Sequence, residues 1–339
     1  MTDLANESRA SFNSKSVARV LVAAFLCGSW SWSWAVADGP AKTAIQLYKS
    51  YTEIVATAAP SDWRVPDAEN TVYLELVSGR VVLELAPQFS PHHVGNIRSL
   101  IREGYFDGLA IIRSQDNYVV QWGDSDEKNP RPFKNAKSKL PPEFTRTLTA
   151  AEFGRFAFDP LPDIDGYAPQ VGFASGFYAG RDPKTSQVWL AHCYGALGVG
   201  RGNAPDSGSG ASLYVVTGHA PRHLDKNITL VGRVLQGMSL LSSLPRGTKA
   251  LGFYDKPSEF VPIKSVKIAA DVPKAARTNL EVIRTDTALF KNAVEALRNR
   301  AGDWFKVPAG HVELCNVPIA VRTAPQGAVA PAAALTATK

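Results

Sequence analysis

The sequence predicts a mainly β protein, a closed antiparallel barrel capped by two helices. Short apolar segments with the two-residue alternation of strands recur between turns. Two isolated segments, at 90–104 and 237–244, have helical spacing instead. Many short strands with few helices between them favour closure into a barrel. A helix before the barrel and a helix and strand after it are predicted as additions.

The first 37 residues have the pattern of a secretory signal peptide. Three basic residues precede the apolar run 20–27, and the small residues at 35–37 predict cleavage after Ala37. This interpretation places the mature protein in the periplasm. The alternatives are an uncleaved membrane anchor, although Gly and Ser interrupt the apolar run, and a lipid anchor on Cys27.

Residues 38–69 are predicted to form a helical segment and a linker. Apolar residues between 41 and 57 have helical spacing, and Pro60 and Pro66 follow them. Segments 71–77 and 80–85 then alternate as strands on either side of a Ser-Gly turn, which predicts a hairpin.

The helix at 90–104 has clear boundary signals. Ser90 can cap it, Pro91 suits its first turn and Gly104 ends it. Residues 125–190 are rich in Pro, Lys and Gly and are predicted to be a long, partly ordered insertion with a short helix near 149–153.

The later strands complete a barrel domain over residues 70–270. They are predicted at 196–199, 212–216, 229–234 and 263–268. Residues 271–322 are predicted to be an extension, with a helix from Thr285 to Asn299 and a strand from His311 to Arg322. Residues 323–339 are mostly Ala, Pro and Thr, which favours a disordered tail.

Composition restricts the function classes. The 339 residues are 45% hydrophobic and carry a net charge of +6, enough apolar content for one large core with additions or for two domains. The basic residues are scattered, and the densest group, 128–139, lacks an aromatic series, which argues against nucleic-acid binding. Neither a metal nor a cofactor is expected. Cys193 and Cys315 remain after cleavage; they can form a disulfide or stay as two buried thiols.

The stretch 109–124 carries the chemistry. Arg113 follows an apolar run, and Gln121 comes eight residues later. Because side chains alternate faces in an extended chain, an even spacing can return both to one face. A cation and an amide beside an apolar floor suit a substrate that is apolar and carries an amide, such as a prolyl peptide bond.

At this point several separated pieces resemble a known family, the cyclophilins, which are peptidyl-prolyl cis-trans isomerases. The resemblance runs from Val72 to Ile268 and keeps the order of the motifs. The matching pieces are the hairpin, Ala86-Pro87 with Ser90-Pro91, Val94 to Ile97, Gly104 to Gly108, Arg113 to Asp124, Gly195 to Gly200, Ser212 to Thr217, Leu224-Asp225, Val231 to Val234 and Gly237-Met238.

The resemblance implies which residues form the site. Arg113 falls on the catalytic arginine and Gln121 on the active-site glutamine. The positions that it implies for substrate binding are Tyr118, Val119, Gly200, Arg201, Ser212, Tyr214, His223 and Leu224. Several of these positions depart from the family. Tyr118 and Val119 stand for Phe and Met, Gly200 and Arg201 for Ala and Asn, and Tyr214 for Phe. Three further changes replace polar or aromatic residues: Ser212 stands for Gln, His223 for Trp and Ile228 for His.

The implied function is isomerisation of prolyl bonds in unfolded or extended polypeptides, assisting the folding of exported proteins without a cofactor. Two other functions stay open, a peptide-binding chaperone with little turnover and a scaffold that binds a partner through its insertion and extension. Arg113 could also be a structural ion-pair partner, and Tyr118 and Tyr214 could be ordinary core residues.

Overall fold

The computed structural model describes residues 49–126, 128–300 and 304–325. Its five α-helices are α1 Tyr51–Ala56, α2 Pro91–Arg102, α3 Ala150–Arg155, α4 Met238–Ser242 and α5 Ala288–Arg298. Its first eight strands are β1 Trp63–Arg64, β2 Thr71–Leu76, β3 Gly79–Leu85, β4 Ala110–Ser114, β5 Val119–Gly123, β6 Arg146–Thr147, β7 Asp159–Pro160 and β8 Gln170–Ala174. The other eight are β9 Phe177–Asp182, β10 Gln187–Leu190, β11 Ala196–Val199, β12 Leu213–Val216, β13 Leu230–Gln236, β14 Val261–Ile268, β15 Leu280–Ile283 and β16 Val321–Thr323.

Eight strands close into the predicted antiparallel barrel. Their order is β11-β12-β5-β4-β14-β2-β3-β13, and β13 pairs with β11 to close the ring. Alternate side chains point inward and fill the interior with aliphatic residues around Trp122. Helices α2 and α4 contribute Val94, Ile97 and Leu241 to the same core. The predicted fold class is confirmed.

The start of α2 differs from the prediction in one respect. Pro91 occupies the first turn and Gly104, at φ +74°, follows the end of the helix. Ser90, however, makes no capping bond with its side chain. Its hydroxyl instead donates to the carbonyl of Leu230 (3.0 Å), which ties the helix start to β13. The expected Ser90 cap is therefore wrong.

The insertion is more ordered than expected. Its strands form a five-stranded antiparallel sheet in the order β6-β10-β9-β8-β7, with α3 between β6 and β7. The strands are two to six residues long, and a glycine in one of them makes room for a large neighbour. A Cβ at Gly180 would lie 2.6 Å from the ring of Trp189 on the paired strand. Short strands interrupted by glycine give little alternation, so the sequence predicted only partial order.

A second core joins three distant parts of the chain. Strands β1, β15 and β16 form a three-stranded sheet between the segment before the barrel and the extension after it. Phe290 of α5 packs edge-on against Phe173 of the insertion, with ring centroids 5.0 Å apart. Residues 49–70, 128–190, 271–300 and 304–325 together are called the accessory unit below. Its core lies against Tyr73, Val82 and Leu235 on the outside of the barrel.

Several terminal predictions need correction. The helix expected over 41–57 is described only from residue 49 onward and is helical at Tyr51–Ala56, where Ser50 and Glu53 form a capping box. The strand expected from His311 to Arg322 is a strand only at Val321–Thr323, because a 3₁₀ turn at Leu314–Asn316 and then Pro318 interrupt it. Thr323, expected in the tail, belongs to β16. The signal peptide and residues 326–339 lie outside the described residues.

A disulfide joins Cys193, just before β11, to Cys315 of the extension, with an S–S distance of 2.07 Å. It links the barrel covalently to the accessory unit. Within the described ranges, no helix is long and apolar enough to cross a membrane. The same residues contain no group of three or more His, Cys, Asp or Glu side chains placed to hold a metal ion.

Candidate active site

Arg113 and Gln121 face each other across two paired strands. They are register partners on β4 and β5, and the register shifts between Ile111 and Arg113. The shift is a local irregularity of β4 of the kind that re-aims a side chain near a site. The sequence placed the two residues together by even spacing along one extended chain; the actual cause is the antiparallel pairing across the hairpin.

The guanidinium of Arg113 is held by three acceptors. Its Nη1 donates to Oε1 of Gln121 (2.9 Å), its Nε to the carbonyl of Leu251 (2.6 Å), and its Nη2 to Oε1 of Gln115. The rings of Tyr118 and Phe253 lie 5.6 and 5.3 Å from the guanidinium carbon. Burial lowers the pKa of Arg113 below its usual value. No carboxylate lies within ion-pair distance among the described residues, so the ion-pair interpretation of Arg113 has no support.

The amide of Gln121 is fixed at both ends. Its oxygen accepts from Arg113, and its Nε2 donates to the hydroxyl of Ser212 on β12 (2.9 Å). Gly200 makes room for this arrangement, since a Cβ there would lie 2.8 Å from the Ser212 oxygen. Ser212 thus contributes by orienting Gln121.

A groove with a volume of about 260 Å³ opens beside these two side chains. The predicted residues that line it are Arg113, Tyr118, Val119, Gln121, Gly200, Arg201, Tyr214 and Leu224. Ile228, Leu251 and Phe253 line it as well. His223 is exposed on the 3₁₀ turn Arg222–Leu224 and is not among the residues that line the groove, so its role in substrate binding stays a prediction.

Tyr214 forms the floor of the groove. Its ring lies over Gly198 of β11, where any Cβ would overlap ring atoms, so the aromatic side chain at 214 requires glycine at 198. Burial raises the pKa of Tyr214 well above its ordinary value, which keeps the hydroxyl protonated. Tyr214 therefore belongs both to the packed interior and to the groove.

Comparison with known proteins assigns this architecture. The family model for cyclophilin type peptidyl-prolyl cis-trans isomerases matches residues 71–268, more than half of the chain and the whole barrel. The chain belongs to the cyclophilin family. It is therefore a peptidyl-prolyl cis-trans isomerase, and cyclophilin substrates are proline-containing polypeptides.

Relatives of this cyclophilin agree with the assignment. A probable peptidyl-prolyl cis-trans isomerase of Brucella suis is 27% identical over 54% of this chain and 76% of its own length. The human peptidyl-prolyl cis-trans isomerase-like 1 is 25% identical over 65% of this chain and 99% of its own. The crystal structure of cyclophilin AquaCyp293 from Hirschia baltica superimposes with a TM-score of 0.61 at 23% identity, covering 82% of this chain and 99% of that one. Its likeness in fold thus extends beyond residues 71–268.

The far wall of the groove in this cyclophilin is built from fixed groups. The N–H of Gly200 donates to the Ser212 carbonyl (2.9 Å), so it is already engaged. The guanidinium of Arg201 donates to the carbonyls of Asn227 and Gly202 and lies 5.2 Å from the ring of Phe144. Arg201 thus shapes the wall while its charge is directed at backbone oxygens.

The residues that sequence reasoning missed come from a turn between α4 and β14. Leu251 has φ +60°, a left-handed conformation that is uncommon for a residue other than glycine, and 64% of its surface is exposed. This conformation directs its carbonyl to Nε of Arg113, and Phe253 forms a bridge with Arg113. The turn around Leu251 lacks the periodicity of a strand or a helix. Its sequence therefore gave no signal that it anchors Arg113.

Proposed function

We propose that the groove binds a prolyl residue of an extended polypeptide and that Arg113 accelerates rotation about the bond before it. An amide bond resists rotation with a barrier of about 18–20 kcal/mol because its C–N bond has partial double-bond character. At the top of the barrier the nitrogen holds a localised lone pair. A cation near that nitrogen binds the twisted state more tightly than either planar state, which is the condition for catalysis.

One observation carries this proposal: Arg113 is preorganised and incompletely used. A guanidinium has five N–H groups, and Leu251, Gln121 and Gln115 take three of them. Two N–H groups therefore remain for a ligand in the groove. A donor that is fixed before the reaction needs no reorientation in the transition state, and such donors contribute about 3–4 kcal/mol in oxyanion sites.

The apolar lining supports the same role. Val119, Tyr214 and Leu224 would hold the pyrrolidine ring, and Phe253 and Tyr118 flank the guanidinium. A proline that fills this space excludes water, so the charge of Arg113 acts through a medium of lower dielectric constant. No nucleophile or general base takes part in this mechanism.

The test is the isomerase activity of Arg113→Ala in a protease-coupled assay. We expect kcat/KM to fall about a hundred- to a thousandfold with the melting temperature nearly unchanged, because the lost donor acts chiefly in the transition state. Arg298→Ala is the matched control. It removes an arginine bonded to Asp163 and Glu295 in the accessory unit and should leave activity unchanged. Equal activity of Arg113→Ala and the control would refute the mechanism.

A second function follows from the position of His223. His223, at the family's Trp position, is exposed and is not among the residues that line the groove, so the tryptophan that the resemblance implies there is missing. Peptide binding with little turnover would then dominate. Wild-type protein that binds a proline-containing peptide but shows no measurable turnover would favour this chaperone function.

We further propose that the protein acts on the folding of exported proteins in the periplasm after cleavage behind Ala37. The support is the signal-peptide pattern of residues 1–37 and the Cys193–Cys315 disulfide, since disulfides persist in oxidising compartments. Mass spectrometry of the protein recovered from a periplasmic extract tests this proposal. An intact N-terminus, or free thiols in that extract, would contradict it.

A further inference from the structure

A buried chain of polar side chains leads away from the floor of the groove. The hydroxyl of Tyr214 lies 2.9 Å from Nε2 of His192, and Nδ1 of His192 lies 2.8 Å from Oδ1 of Asp225. The other oxygen of Asp225 accepts from Nε of Arg222 (2.6 Å), and Arg222 also pairs with Asp165 of the insertion. His192 is 0% exposed and Asp225 is 4% exposed.

The partners define which atom holds each proton. An ionised carboxylate can only accept, so Nδ1 of His192 donates to Asp225. In the neutral imidazole, Nε2 must then accept, and the Tyr214 hydroxyl donates to it. Asp225 fixes the ring a second time, because it also accepts the backbone N–H of His192 (2.9 Å). With the imidazole neutral, every bond is satisfied in this arrangement, and the phenol proton points away from the groove.

We propose that His192 is a positioning residue that acts through Tyr214 to set the floor of the proline site. The proposal rests on the function proposed above for the groove. The Tyr214 ring packs closely on Gly198 and lies in an otherwise apolar cluster. The hydrogen bond to His192 is the contact that fixes the ring at its polar end. Without that hydrogen bond, the Tyr214 hydroxyl would turn toward the groove, where it can be hydrated, and would obstruct the prolyl ring.

A double-mutant cycle separates this role from a merely structural one. The four proteins are the wild type, His192→Leu, Tyr214→Phe and the double variant, each measured for kcat and KM in the protease-coupled assay. We expect His192→Leu to lower kcat/KM about tenfold, chiefly by raising KM. The reason is that the buried Tyr214 hydroxyl loses its hydrogen-bond partner. In the Tyr214→Phe background the same change should alter kcat/KM less than about twofold, since no hydroxyl remains to be held. Equal losses in both backgrounds, or no loss in the first, would overturn the proposal.

Two shorter side chains keep the test decisive if His192→Leu does not fold. The amide of His192→Gln reaches the position of Nε2 and can still accept from Tyr214. The amide of His192→Asn reaches only the position of Nδ1 and can bond Asp225 alone. We expect the Gln variant to keep several times more activity than the Asn variant. Equal activity of the two would contradict the proposal.

His93 offers a matched control. It is equally buried, pairs through Nδ1 with Glu143 and through Nε2 with the Gly208 carbonyl, and contacts neither Tyr214 nor Arg113. His93→Leu should lower the melting temperature and leave KM unchanged; a KM increase equal to that of His192→Leu would count against a specific role for His192. Titrating the same variants with a proline-containing peptide distinguishes two failures. If Arg113→Ala keeps full activity, the catalytic mechanism fails, and the affinities still test His192.

Discussion

The barrel and the accessory unit use the chain in contrasting ways. Three pairs of neighbouring strands, β2–β3, β4–β5 and β11–β12, supply six of the eight barrel strands, and the barrel core is largely aliphatic. The accessory unit joins pieces far apart in sequence, as where Trp63 pairs with Ile283, and its core contains several aromatic rings and a disulfide. Local pairing leaves a signature in the sequence, whereas pairing across more than two hundred residues does not.

The two regions also divide the work. Every residue that lines the groove belongs to the barrel region, including the turn around Leu251. The accessory unit supports the groove from behind: Phe144 lies against Arg201, and Leu148 and Val188 share a core cluster with Val119 and Tyr214. Asp165 also bonds Arg222 at the outer end of the chain behind Tyr214. We therefore expect changes in the accessory unit to alter stability and changes in the groove to alter activity.

Removing the disulfide should have the largest effect of the changes that follow. Cys315→Ser opens a link between residues 122 positions apart, for which chain entropy predicts a loss of up to about 4–5 kcal/mol in the free energy of unfolding. At urea concentrations below the unfolding transition, we expect the kcat/KM of Cys315→Ser to stay close to that of the wild type. Urea unfolding with and without reductant measures the first quantity, and reductant should have no effect on the variant. A parallel loss of activity in folded protein would show that the division of work is wrong.

Gln121→Leu should have the opposite effect, a loss of activity with little loss of stability. It removes the acceptor of Arg113 Nη1 and the donor to Ser212, so the guanidinium keeps two of its three anchors. We expect kcat/KM to fall about tenfold, the usual scale for a misplaced catalytic group, with little change in melting temperature.

The control for Gln121→Leu is a similar pair outside the groove. Gln170 on β8 accepts from Nε of Arg181 (2.6 Å) within the insertion sheet. Gln170→Leu should affect stability alone. If both variants lose activity equally, the effect of Gln121 is not specific to the groove.

How much the sequence could predict depends on how close the interacting residues lie along the chain. Arg113 and Gln121 lie in one hairpin with flanking motifs, so their pairing could be predicted, although the irregularity at Ile112 could not. Leu251 is 138 residues from Arg113 and contributes a carbonyl, which no residue type encodes. His192 is 22 residues from Tyr214 and 33 from Asp225, so only a folded backbone brings the three together. The one available signal was a tyrosine in a position where its buried hydroxyl needs a partner.

The smallest expected effect is at the junction of the two regions. Glu143 of the insertion accepts the N–H groups of His92 and His93 at the start of α2 (3.0 and 2.8 Å) and pairs with Nδ1 of His93 (2.6 Å). Burial alone would raise the pKa of this carboxyl, but the bonds from His93 and from the helix N–H groups outweigh it, and the pKa is lowered.

A pKa that is lower in the folded state than in the unfolded state makes the ionised carboxylate stabilising. This contribution is complete above the ordinary glutamate pKa and is lost as the pH falls through the folded value, so the window lies below about pH 4.5. We expect the difference in unfolding free energy between the wild type and Glu143→Gln to shrink as the pH falls from 6 to 3, measured by urea unfolding at each pH. A difference that does not change with pH would mean that the charge of Glu143 contributes nothing to the junction. The insertion would then be held to the barrel by hydrogen bonds and apolar contacts alone.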